Sequence, residues 1–301
     1  MSIPSSITEQ LRSTQPTVSI EFFPPKTEEG ARQILKTAHA LKDYGIAFAS
    51  ITYGAGGSTR ERTIEYGELL NQFFGYNIVP HLTCVGHSRD ELAGIIDKLA
   101  GAGFSGIMAL RGDPPKGESS FTPHANGLPH ASDLVSLIRE RCGKKLAIGV
   151  AGYPENHPES PDMGTDMRWL SHKVAQGADF ITTQLFFDNA DYFSFVNRCN
   201  KAGITVPILP GILPLSSLEQ ARKFSAFGKT RLPEELESRL AACAGDSQLS
   251  HDTGVEWAFE QVRDLLAQGA PGFHLYILNR AESALALFAR LQKEGILKQP
   301  A

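Results

Sequence analysis

The chain has 301 residues, of which 42% are hydrophobic and 21% charged, with 28 glycines and 18 prolines. That composition excludes collagen-like, coiled-coil and largely disordered chains. Twenty-nine basic against 33 acidic residues leave a formal charge of −4, so no basic field is available to grip nucleic acid, and the expected partners are small molecules and other proteins.

The first 16 residues are polar and read as an N-terminal extension, not as a charged-then-apolar leader. No run reaches about 18 apolar residues, the length a membrane span needs. Cys84, Cys142, Cys199 and Cys243 are far apart and form no Cys-x-x-Cys pair. The nine histidines are dispersed, so no metal site is expected. These features predict a reduced, cytoplasmic protein.

Short β-branched runs begin near Thr17, Ile46, Asn77, Phe104, Lys145, Asp179, Val206 and Gly272, and a stretch of helical periodicity follows each. Four of those stretches stop at a glycine (Gly45, Gly103, Gly177 and Gly203), as a left-handed helix end requires. Eight β-then-α units predict a parallel sheet closed into a (β/α)8 TIM barrel, one α/β domain over residues 1–301. Two connections are long: a Gly/Pro-rich loop over 111–130, and a helical insertion at roughly 232–268 before strand eight. Pro80 and Pro207 remove ladder donors and predict bulges in strands three and seven. An open, doubly wound sheet fits less well. Its first strand-to-helix turn here is Pro24-Pro25-Lys26-Thr27, which offers no run of backbone donors to a phosphate.

Two motifs match by letter and fail by context. Gly101-x-Gly103-x-x-Gly106 runs from helix into strand, the reverse of a dinucleotide fingerprint. Gly228-Lys229-Thr230 resembles the end of a P-loop, but Lys223 holds the position that needs glycine.

Barrel enzymes place their chemistry at the C-terminal ends of strands, and strand side chains alternate faces. In strand one, Val18, Ile20 and Phe22 form an apolar face, which turns Ser19, Glu21 and Phe23 inward. Glu21 is then either a salt-bridged core carboxylate or a carboxylic acid kept neutral by apolar neighbours and used as a proton donor. Strand three turns His81 and Thr83 the same way, and strand six presents Thr182 and Gln184. Strands two, four and eight end in Thr52-Tyr53-Gly54-Ala55, Leu110-Arg111-Gly112-Asp113 and Leu278-Asn279-Arg280.

Those strand ends resemble methylenetetrahydrofolate reductase. So do Glu21-Phe22-Phe23-Pro24-Pro25-Lys26-Thr27, Pro80-His81-Leu82-Thr83-Cys84, Tyr153-Pro154-Glu155 with His157-Pro158-Glu159, Gln184-Leu185-Phe186-Phe187-Asp188 and Leu209-Pro210-Gly211-Ile212-Leu213-Pro214. The motifs stand in family order, and the length is similar to the short bacterial form without a regulatory C-terminal domain. The resemblance implies flavin-dependent reduction of 5,10-methylenetetrahydrofolate to 5-methyltetrahydrofolate by NADH or NADPH, in a ping-pong cycle, by a homo-oligomer.

The resemblance also implies roles. Glu21, Asp113 and Gln184 would form the catalytic set, Glu21 as general acid toward folate N10. Asp113 and Gln184 would hold the pterin, and Arg280 would also meet the folate. FAD would be contacted by Thr52, Tyr53 and Ala55, by His81, by Leu110, Arg111, Gly112 and Asp113, and by Tyr153, His157, Asp166 and Lys173. The chain departs from the family at His130, Trp169 and His172, which stay in the expected FAD set, and at Leu218, which replaces a phenylalanine that stacks on folate. The alternative is a flavin-free barrel, either a lyase or a folate-binding protein. A Schiff-base lyase needs an inward lysine at a strand end, and Lys145 stands at the wrong end.

Overall fold

A computed structural model describes residues 6–54, 60–114 and 121–299. Its first half runs α1 (Ile7–Gln10), β1 (Thr17–Phe22), α2 (Glu28–Leu41), β2 (Phe48–Ile51), α3 (Arg60–Phe74), β3 (Ile78–Thr83), α4 (Arg89–Gly101), β4 (Gly106–Leu110) and α5 (Ala131–Cys142). Then follow β5 (Ala147–Gly152), α6 (Met163–Ala175), β6 (Phe180–Leu185), α7 (Asn189–Lys201) and β7 (Ile208–Ile212). The chain finishes with α8 (Leu218–Gly228), α9 (Glu234–Ala241), α10 (Ser247–Ala267), β8 (Gly272–Tyr276) and α11 (Glu282–Lys293). The eight strands pair in parallel and in sequence order, and β8 returns to β1, which closes the barrel.

Alternation along the strands sorts side chains into two layers. Val18, Ile20, Phe22, Ile78 and Leu82 face outward into the core shared with the helices. Phe48, Val79, Met108, Phe180 and Leu209 fill the barrel, and Ile7 and Leu11 join them from α1 and the residue after it. The N-terminal extension is therefore part of the barrel's packing. Capping residues start the helices: Ser88 at α4 accepts from Glu91 N–H, and Asp162 at α6 accepts from Thr165 N–H. The four glycine stops all have positive φ.

The helical segment expected before strand eight is present as α9 and α10. Val255, Ala258, Val262 and Leu265 of α10 join the core shared with the barrel. Ala221 of α8 and Leu236 and Leu240 of α9 form a separate cluster with Leu185, Phe187, Leu213 and Leu215. These last come from the ends of β6 and β7, so α8 and α9 sit over the strand ends.

The bulges expected at the prolines do not form. Pro80 stands in register opposite Ile51, and Pro207 precedes β7. The register slips instead between Thr182 and Leu185, where β6 meets β7. Side chains take over there: Gly211 N–H donates to Thr183 Oγ1 (2.9 Å), and Tyr276 OH donates to Thr183 O (2.7 Å). A Cβ on Gly211 would fall 2.4 Å from Thr183 O, so the close approach requires glycine.

Candidate active site

The strand ends open into a cleft of about 1010 Å³. At its floor β1 presents Glu21, which is 8% exposed. Its Oε2 lies 3.3 Å from His81 Nε2 on β3 and 3.9 Å from His274 Nε2 on β8. Ser19 Oγ meets the other face of that second ring, 2.8 Å from His274 Nδ1. Burial by itself raises the Glu21 carboxyl. The hydrogen bonds and charges of His274 and His81 outweigh it and hold the group at about 2. Of the two readings of Glu21, the neutral acid among apolar neighbours and the paired carboxylate, the two imidazoles beside it favour the paired carboxylate.

One wall comes from the β4 end, with Leu110, Arg111, Gly112 and Asp113 lining the cleft. The Arg111 guanidinium donates to both oxygens of Glu159 at 2.6 Å and lies over the Phe121 ring at 5.0 Å. Gly112 has φ +91, and a Cβ there would fall 2.8 Å from Val85 Cγ1. The backbone can pack against Val85 and Thr83 behind the cleft only as glycine.

The adjoining wall comes from the β5 end, next to β4 in the barrel, and from α6. The rings of Tyr153 and His157 meet edge-on at 4.5 Å, and His157 N–H donates to Asp166 Oδ2 (3.2 Å). Burial pushes the Tyr153 hydroxyl up to about 12. Lys173 Nζ donates to Ala151 O (2.7 Å), and burial pulls its amine down to about 8, with Asp166 partly opposing. Trp169, 59% exposed, stacks on His130 with centroids 5.9 Å apart. On the remaining side Gln184 lines the cleft, and its Oε1 accepts from Leu185 N–H (2.9 Å).

Most of the expected residues therefore converge, and five do not reach the lining. Tyr53 is buried with its hydroxyl 3.1 Å from His87 Nε2, and Thr52 O accepts from the Thr63 hydroxyl. His172 meets Trp169 edge-on at 6.3 Å but lies outside the cleft wall. Leu218 packs against the α8–α9 cluster, so the rings that α8 turns to the cleft are Phe224 and Phe227. Arg280 is exposed beyond two left-handed residues, Leu278 and Asn279. The side chain of Asn279 instead clasps the Phe23 backbone through two 2.8 Å bonds, which ties the β8 end to the β1 end. Ala55 lies outside the described residues. Sequence reasoning missed His274, Tyr276 and Glu159. The alternation of His274 and Tyr276 along strand eight carried the signal for the first two.

Parallel barrel, strand-end cleft and buried carboxylate define a (β/α)8 protein whose chemistry sits at the C-terminal face. A family model described as Methylenetetrahydrofolate reductase matches residues 6–292. The chain belongs to the methylenetetrahydrofolate reductase family. It is 38% identical to the 5,10-methylenetetrahydrofolate reductase of Escherichia coli (strain K12), over 91% of this chain and 90% of that protein. It is 37% identical to methylenetetrahydrofolate reductase (NADH) 1 of Arabidopsis thaliana, over 95% of this chain and 49% of that one. The chain thus spans about half the length of the plant relatives it matches. Among solved structures, an uncharacterized protein from Clostridium thermocellum that binds two copies of 5-methyl-5,6,7,8-tetrahydrofolic acid shares the fold. Its TM-score is 0.64 at 16% identity, covering 95% of this chain and 98% of that one.

Proposed function

We propose that this barrel reduces 5,10-methylenetetrahydrofolate to 5-methyltetrahydrofolate with NADH or NADPH, through FAD and in a ping-pong cycle. The observation that carries the reading is the Glu21 carboxylate, buried at the cleft floor within reach of His81 and His274. The names of the bacterial and plant relatives support the substrate.

The residues present fit a flavin dinucleotide. Lys173 is a buried amine on the cleft wall. The stacked His130–Trp169 pair offers an aromatic surface, and Leu110 and Met108 are apolar. FAD when bound supplies hydride transfer, accepting it from a nicotinamide and delivering it to the folate. Lys173 and Arg111 would meet its phosphates, Arg111 only in exchange with Glu159. Asp113, as a carboxylate, accepts the paired N–H donors of an aminopyrimidinone edge. Gln184 keeps its amide hydrogens for a ligand, since one lone pair of its oxygen is engaged.

Opening the imidazolidine ring of the substrate needs a proton on N10. Glu21 at the cleft floor is the group placed to pass that proton, and His81, with Nε2 at 3.3 Å, is the nearer neighbour through which it is reprotonated. The pair then serves as one acid, and the neighbouring His274 keeps the carboxylate oriented through Ser19.

The visible spectrum of the purified protein tests the reading. A yellow sample that bleaches anaerobically with NADH or NADPH and recovers its colour with methylenetetrahydrofolate is expected. A colourless protein that cannot be reconstituted with FAD overturns it.

A further inference from the structure

The end of α8 is shaped in a way that closing a helix does not demand. Lys229, its C-cap, is left-handed (φ 50, ψ 39), a conformation that ordinarily falls to glycine or asparagine. Gly228 and Thr230 on either side are buried, whereas Lys229 is exposed and lines the cleft. The backbone around it is pinned. Lys229 N–H and Thr230 N–H both donate to Ser225 O, and Ser225 Oγ donates to Thr230 O (2.6 Å). Arg231 N–H is held by both oxygens of Glu155 at 3.0 and 2.9 Å, and its guanidinium by Asp188 (2.7 Å) and Asp191 (3.0 Å).

What this anchoring presents to the cleft is a cation two residues after a ring. Phe227, two residues earlier, lines the same cleft while 77% exposed, the most exposed large apolar side chain among the described residues. The acid whose charge Lys229 feels, Glu159, is committed to Arg111 by two bonds. The Lys229 ammonium itself has no ion pair among the described residues.

We propose that Phe227 and Lys229 form a subsite for the tail of an elongated ligand, an aromatic ring followed by an anionic group. This rests on the function proposed above, whose two substrates both carry that chemistry. The folate has an aminobenzoyl ring followed by carboxylates, and the nicotinamide dinucleotide has an adenine ring joined to phosphates. The ring packs on Phe227, and the anion meets Lys229 where the cleft opens to water. A contact so exposed contributes modest, salt-sensitive affinity.

Direct binding to the purified full chain tests this, using 5-methyltetrahydrofolate with one and with three glutamates, and NADH, at low and high salt. Lys229→Gln should weaken one ligand by about three- to tenfold at low salt and flatten its salt dependence, and Lys229→Arg should restore both. Phe227→Ala should weaken the same ligand. A loss that grows with the number of glutamates assigns the tail to folate, and a loss confined to NADH assigns it to the dinucleotide phosphates. Lys229→Gln binding of all three probes within twofold of wild type overturns the subsite and leaves the proposed function standing. Failure of the wild-type chain to bind any probe overturns both.

Discussion

Glu21 Oε2 is shared by two imidazoles that arrive from strands on either side of β1 in the closed barrel. Two expectations follow at this scale. Glu21→Gln keeps the shape and removes the carboxyl group that passes the proton, so bleaching of FAD by NADH should survive while reoxidation by methylenetetrahydrofolate falls by about 10²–10⁴. Stopped-flow measurement of each half-reaction checks this, and equal loss in both would return Glu21 to a structural role. The same carboxyl is depressed from 4.5 to about 2, so its stabilising contribution is complete above about pH 4.5 and disappears as pH falls toward 2. Thermal melts of wild type and Glu21→Gln should differ near pH 5 and converge as pH falls from there toward 2.

Lys173 titrates with the opposite consequence. Its amine is pulled down to about 8, so it is charged below that pH and neutral above it. An anionic cofactor favours the charged form. FAD affinity should therefore be flat up to about pH 8 and weaken above it, by up to about tenfold per unit. Affinity measured from pH 7 to 9.5 should show that bend in wild type and none in Lys173→Gln.

At the scale of elements, α5 is stapled to the barrel by one buried ion pair. Arg139 pairs with Asp179, their side chains 14% and 13% exposed, and also donates to Gly177 O (2.8 Å) and Leu146 O (3.1 Å). Asp179 in turn accepts from Ile148 N–H (2.8 Å) at the start of β5. Removing one partner of such a pair leaves the other charge buried without its counter-ion. Asp179→Ala should therefore lower unfolding free energy by about 3–5 kcal/mol in denaturant titrations. A loss below about 1 kcal/mol would mean that water and Lys144 screen the pair. The register slip between β6 and β7 belongs to this scale too, because Thr183 and Tyr276 replace ladder contacts with side-chain bonds at the height of Gln184.

Across the whole molecule the two ends of the barrel divide the work. Ile7 and Leu11, 2% and 3% exposed, pack onto Phe48, Val79, Met108, Phe180 and Leu209 inside the barrel, while the ionisable groups gather at the strand ends. Leu11→Ala should cost about 2–5 kcal/mol of stability and leave FAD affinity near that of wild type. Calorimetry and a cofactor titration on the same sample measure both. A matching loss of cofactor affinity would show that the packing transmits to the site. None of the described helices is long and apolar enough to cross a membrane.

The number of strands, their places and the faces they present were legible in the sequence, because periodicity and glycine stops are local properties. Val18, Ile20 and Phe22 alternate with Ser19 and Glu21 whatever surrounds them, and parity alone turns Glu21 inward. The charge state of Glu21 was not legible. It depends on His274, whose partner Ser19 is 255 residues away in the chain, and the two meet only because β8 pairs with β1. Leu218 lies outside the cleft lining for a related reason: its position at the start of α8 is local, but its packing against β6 and β7 residues, and the turning of Phe227 toward the cleft, are set by how α8 lies over the strand ends. Hydrophobic alternation thus determined the barrel, while the electrostatics and lining of its cleft were decided by closure, which alone brings side chains from distant strands within a few ångströms.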